Sequence, residues 1–152
     1  MSTPEEQYLA LTKKSGHVDV KDIDTLFAQL KPVTGEQLIG EWTGGDFTTG
    51  HPGHDQLAAM KWAGKSFRTF DDVDPIVVYD DAGKRTFSEQ WGHAVVREVK
   101  FNGQVSAAMI YDKQPIIDHF RYVNDNFIAG IMDTKMFPTD HGAYHFYLTR
   151  IE

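Results

Sequence analysis

Hydrophobic and polar positions along the chain follow two different periods, and the change falls close to residue 35. Val20, Ile23, Phe27 and Leu30 recur at intervals of three and four. That spacing draws one apolar stripe down a helix over Asp19 to Leu30, and Pro32 ends it. An earlier helix is signalled by its start. Thr3 serves as N-cap, Pro4 takes the first position, and Glu6 falls three residues after the cap, which makes a capping box. Lys13 and Lys14 suit the far end of the helix dipole, and Gly16 supplies a left-handed stop. Residues 1–35 are therefore expected to form a helical extension. It either packs outside the rest of the chain or acts as a lid over a ligand entrance.

From Leu38 onward the period shortens to two. Strands are predicted at Gly40–Phe47, Lys65–Phe70, Pro75–Asp80, Ala94–Asn102, Val105–Asp112, Ile116–Asn124, Phe127–Thr134 and Tyr144–Ile151. A short helix, from Pro52 or Asp55 to Trp62, interrupts the first two. Asn102-Gly103 is a two-residue hairpin signal. Asp81-Ala82-Gly83-Lys84, Gln114-Pro115 and Asn124-Asp125-Asn126 also read as tight turns. Short connections require antiparallel neighbours. About eight such strands close into an up-and-down barrel with room for one small ligand. The expected fold class is mainly β: one barrel over residues 36–152 with the helices outside.

Alternation within strands suggests which face is interior. Val95, Val99 and Phe101 share an apolar parity with Arg97, and Val105, Ala107, Met109 and Tyr111 share another. In the next strand both parities mix apolar and ionisable groups: Ile116, Asp118, Phe120 and Tyr122 on one, Ile117, His119, Arg121 and Val123 on the other. A strand with a cavity on one side and helices on the other gives this mixture. So does a two-sided strand whose polar groups are satisfied.

Composition narrows the function classes. The 152 residues carry 15 Lys+Arg against 22 Asp+Glu, a net charge of −7, which argues against a protein that tracks nucleic-acid phosphates. Apolar residues make up 41% and charged residues 24%, excluding wholesale disorder. No run nears the roughly 20 apolar residues of a membrane span. Met1 to Lys14 opens acidic without an apolar core, so no Sec-type signal is read and a cytoplasmic protein is expected. Without cysteine there is no disulfide framework, thiol nucleophile or Cys-zinc site.

Gly40-Glu41-Trp42 opening the first strand and Arg150 closing the last resemble the calycin superfamily of lipocalins and fatty-acid-binding proteins. There a Trp plugs the closed barrel end beneath a basic residue, a cation over an indole face. A longer match is more specific. Gly40-Glu41-Trp42-Thr43-Gly44, Thr49-Gly50-His51 and Trp62-Ala63-Gly64-Lys65-Ser66-Phe67 resemble the family named for its GXWXG motif. Its companion domain of unknown function is resembled by the run Lys100 to Asp112, by Pro115-Ile116-Ile117-Asp118-His119-Phe120, and by Gly130-Ile131-Met132-Asp133-Thr134-Lys135. Asn102 departs from the family's usual Arg, and Met136 to Ala143 makes a longer loop. The resemblance implies a calycin-like barrel with a pocket, and carries no biochemical role with it.

Candidate chemistry then follows. Phe101, Met109, Tyr111, Phe120 and Met132 are expected cavity walls, with Trp42 and Arg150 sealing one end. Arg97, Asp112, Asp118, His119, Asp133 and Lys135 are expected polar contacts, and His51 rims the pocket. Asp118 and His119 are adjacent, so a strand points them to opposite faces. Asp133 and Lys135 share one face about 6.5–7 Å apart. His51, His54 and Asp55 have metal-like spacing, but the Pro52-Gly53 turn and the want of a third distant His argue against zinc.

The leading expectation is binding of a small hydrophobic molecule, as a carrier or sensor. The alternative is a cofactor-independent isomerase or cyclase in which His119 and Asp118 move a proton. A third is a haem-binding barrel with His51, His119 or His141 as axial ligand; otherwise no cofactor is expected. A homodimer is left open.

Overall fold

The structure, a computed structural model, describes residues 2–152. Helices α1 (Pro4–Thr12) and α2 (Val20–Phe27) and the one-turn helix α3 (Gly35–Leu38) precede the first strand. Next come β1 (Gly40–Asp46), α4 (Pro52–Ala59), β2 (Trp62–Thr69), β3 (Asp72–Tyr79) and β4 (Arg85–Phe87). Strands β5 (Ala94–Phe101), β6 (Gln104–Tyr111), β7 (Ile117–Asn124), β8 (Phe127–Asp133) and β9 (Tyr144–Arg150) complete the chain. Thr3 and Glu6 form the capping box through two 3.1 Å bonds. Asp19 caps α2 by accepting from Lys21 N at 2.9 Å.

The sheet runs β2-β1-β9-β8-β7-β6-β5-β3-β4, and β2 also pairs with β3. That last pairing closes a barrel of eight antiparallel strands, with β4 left as an extra hairpin arm on β3. Neither β4 nor α3 is marked by the sequence pattern. The closure is uneven. β3 and β5 share one register pair, Val73 with Ala94, supported by Val96 N donating to Phe70 O at 2.7 Å. At the β5–β6 hairpin Asn102 (φ 52°) and Gly103 (φ 78°) both take positive φ, as a type I′ turn needs.

The wall carries a core on each side. Inside, Trp42, Phe67, Met109, Phe120, Phe146 and Leu148 fill the barrel. Outside, Tyr8, Ile23, Phe27 and Leu30 pack on Phe47, Val123, Ala129 and Ile131. This accounts for the mixed parities of β7: the second apolar face lies under helices. Tyr8 is fully buried and donates to Phe146 O at 3.1 Å. At the closed end Arg150 stands over Trp42, its Cζ 4.3 Å from the ring centre. The indole Nε1 donates to Leu38 O at 2.7 Å.

The interior parity of β5 differs from expectation. Ala94 and Val96 face the inner core, while Phe101 lies against the outer one. Phe101 joins the outer core that the helices cover, so an apolar parity can belong to either side of this wall.

Candidate functional site

Register sets an inward row at one end of the barrel. Met109 opposes Asp118 across β6 and β7, Asp118 opposes Met132 on β8, and Met132 opposes Tyr144 on β9. Tyr111 lies two residues from Met109 on the same face. Lys65 arrives from β2, just after Gly64, where the β2–β3 register shifts on both sides. Irregularities of this kind re-aim side chains.

These residues meet in a buried polar cluster. Lys65 Nζ lies 3.0 Å from Asp118 Oδ2, with each side chain 2% exposed. Lys65 also donates to Pro75 O at 3.0 Å and to Tyr111 Oη at 3.4 Å, while Tyr111 donates to Asp118 Oδ2 at 3.3 Å. All three ammonium protons thus have acceptors. The rings of Trp62, Tyr111 and Phe146 surround the nitrogen, with centres 5.7, 5.7 and 5.1 Å away. Asp118 Oδ1 and Trp91 Nε1, both buried, have no hydrogen-bond partner among the described residues.

Asp118 and Trp91 line the same small cavity with Lys65, Tyr111, Met132 and Tyr144; its volume is about 30 Å³, room for roughly two waters. Leu57, Ile76 and Phe146 make much of the rest. Burial pushes the Lys65 amine down and the Asp118 carboxyl up, each opposed by the attraction between them. Burial also raises the Tyr111 phenol, and Asp118 raises it further. Both partners of the ion pair are therefore driven toward their uncharged forms.

Gly53, Gln56 and Leu57 of α4 line the cavity, as does Phe137, whereas among the described residues none from α1 or α2 does. His51 caps α4, its Nδ1 accepting from Gly53 N at 2.9 Å. His54 Nδ1 lies 2.9 Å from Asp46 Oδ1, and Tyr144 donates to Asp46 Oδ2 at 2.7 Å. Both imidazoles of the metal-like spacing are thereby engaged. A separate grouping of His93 with Asp72 and Asp74 is occupied by Arg68, which pairs with both carboxylates.

Of the residues predicted from sequence, Asp118, Tyr111 and Met132 line the cavity. Met109, Phe120 and Trp42 are fully buried and fill the barrel rather than line the hollow. The interior is correspondingly smaller than eight strands alone suggested. Phe101 stacks on His119 at 3.9 Å outside the barrel, and His119 Nε2 lies 2.9 Å from Asp133 Oδ2. His119 therefore shares no site with Asp118. Arg97 pairs with Asp71 at 2.7 Å on the surface. Asp112 and Lys135 are exposed. His51, Phe101 and Asp133 line an outer groove instead. Among the described residues no histidine lines the cavity, so haem iron would find no axial imidazole there, nor room for its macrocycle.

Two family models match, a GXWXG protein over residues 25–83 and a domain of unknown function, DUF4334, over residues 92–150. A crystal structure of a protein from Thermomonospora curvata is 42% identical, spans 99% of this chain and 100% of its own, and superposes with a TM-score of 0.89. The chain belongs to the GXWXG family. No curated protein matches it. In this GXWXG protein the polar cluster draws one member, Lys65, from the first matched region and two, Tyr111 and Asp118, from the second.

Lys65, Trp62, Trp91 and Tyr144 are among the lining residues that sequence reasoning missed. One signal was present: Lys65 shares its parity with Ala63 and Phe67, both buried. A lysine inside an apolar parity is a candidate interior group.

Proposed function

We propose that the barrel binds a small, largely apolar molecule at the α4 end, with its polar group against Lys65, Asp118 and Tyr111. The observation that carries this is the orphaned Asp118 Oδ1 beside an aromatic-walled cavity. A buried acceptor without a partner costs about 1–3 kcal/mol, so a ligand donor that reaches Asp118 Oδ1 gains a contact the protein itself does not supply. The hollow takes only a few atoms. The polar group sits there, and the remainder of the ligand leads out between Leu57 and Phe137.

Titration of tryptophan fluorescence with phenol tests this, because Trp62 and Trp91 line the cavity. Saturable quenching is expected. Asp118→Asn and Trp91→Phe should each weaken it about tenfold, one hydrogen bond's worth. Linear quenching, or equal affinity in folded variants, would count against the proposal.

A second reading, a cofactor-independent isomerase or cyclase, is favoured by the same burial. It brings the Lys65 and Asp118 pKa values toward each other, which suits proton transfer. On that reading Lys65 and Asp118, not His119, carry the proton.

A further inference from the structure

Lys65 is the only buried lysine among the described residues, and its surroundings suit one chemistry in particular. The cluster is electrically balanced, so a charged ligand would meet an unmatched partner there. An anion would face the Asp118 carboxylate, and a cation would face the Lys65 ammonium. A neutral ligand avoids both penalties. Its preferred form follows from the two orphaned atoms, one donor at Trp91 Nε1 and one acceptor at Asp118 Oδ1. A carbonyl oxygen can accept from the indole. The hydroxyl that forms when an amine adds to that carbonyl can donate to the carboxylate.

We propose that the polar end of the cavity captures a small aldehyde or ketone, Lys65 Nζ forming an imine with its carbonyl carbon. This rests on the reading that the cavity takes a small ligand.

The step balances without an external reagent. The ammonium passes one proton to Asp118 Oδ2, 3.0 Å away. The freed amine pair then forms the carbon–nitrogen bond while the carbonyl π pair moves to oxygen. A second nitrogen proton reaches that oxygen through the Tyr111 hydroxyl, 3.4 Å from Nζ. Asp118 returns the first proton to the resulting hydroxyl, which leaves as water as the nitrogen lone pair closes the double bond. The product is a protonated imine beside a carboxylate, plus one water. Burial favours the neutral amine that must attack. The walls of Leu57, Ile76 and Phe146 limit the water that would reverse the reaction.

The test uses acetylacetone, a 1,3-dione that condenses with neutral amines to an enaminone absorbing in the near ultraviolet. At neutral pH, peptide mapping should find Lys65 modified at one equivalent and ahead of any surface lysine, since the buried, aromatic-walled position of Nζ favours the neutral amine that condenses. Lys65→Arg should abolish the early absorbance, and Tyr111→Phe should slow it. Peptide mapping of the unaltered protein decides the matter if a variant fails to fold. Pentane-2,4-diol is the control, since it fills the same space and cannot condense. If dione and diol both shift tryptophan fluorescence while Lys65 stays unmodified, imine capture is refuted and ligand binding stands. If neither shifts it and Lys65 stays unmodified, both fail.

Discussion

Arg150 both covers Trp42 and ties down the chain that crosses the barrel end. Its guanidinium lies over the indole at 4.3 Å, donates to Ile39 O at 2.9 Å and donates to Gln37 O at 2.8 Å. A lysine keeps the charge but not the two-pronged geometry. Arg150→Lys is therefore expected to lower stability by about 1–3 kcal/mol, read as a shift in the urea midpoint without a change in slope. An unchanged midpoint would mean that the stack and its bonds add nothing to the closed end.

Gly64 brings two strands together. Its φ is 141°, and a Cβ there would collide with the Trp42 carbonyl. Gly83 is strained in φ alone, at 78°, with open space around it. Gly64→Ala should cost more than about 4 kcal/mol and abolish soluble folding. Gly83→Ala should cost about 1–2 kcal/mol. Expression yield and thermal unfolding compare the pair; equal effects would contradict the close approach at Gly64.

The Lys65–Asp118 pair predicts strong non-additivity. Lys65→Met or Asp118→Leu alone strands a buried charge and should cost about 3–5 kcal/mol, whereas the double variant should recover most of that loss. Denaturant unfolding of the four proteins measures the cycle. A folded double variant should also lose phenol quenching, separating the pair's part in ligand contact from its part in stability.

His51 gives a pH dependence. Burial holds its imidazole below the ordinary value of 6.5, with His141 opposing protonation further. The unfolded chain then takes up a proton first as pH falls. The stability contributed by neutral His51 is complete above about pH 6.5 and is lost on acidification through the window below it. His51→Asn preserves a capping side chain and should flatten unfolding free energy against pH between 7 and 5, about neutrality to mild acid. An identical slope in both proteins would remove His51 as a source of acid sensitivity.

Sequence alone marked the barrel well, because local chemistry determines its pieces. Asn102-Gly103 dictates a hairpin, Thr3 with Glu6 dictates a helix start, and short connections between β5 and β8 dictate antiparallel order. The site was less legible. Asp118, Tyr111 and Met132 were named, yet their partner Lys65 lies 46 residues from Tyr111 and joins them only through barrel closure. The parity of β5 misled because Phe101 packs against the outer core, which period-two alternation cannot distinguish from an interior. Arg97 and Phe101 followed that error outward, while His119 lies on the outward parity of β7, against Phe101. β4 escaped notice because three residues, Arg85–Phe87, are too few to show a period.

The single register pair joining β3 to β5 makes one stave joint weaker than the rest. Thermal breathing of the wall should begin along it, and amide protons flanking Val73 and Ala94 should exchange sooner than those of the β5–β6 ladder. A cask of this build loosens at one joint while its remaining hoops hold.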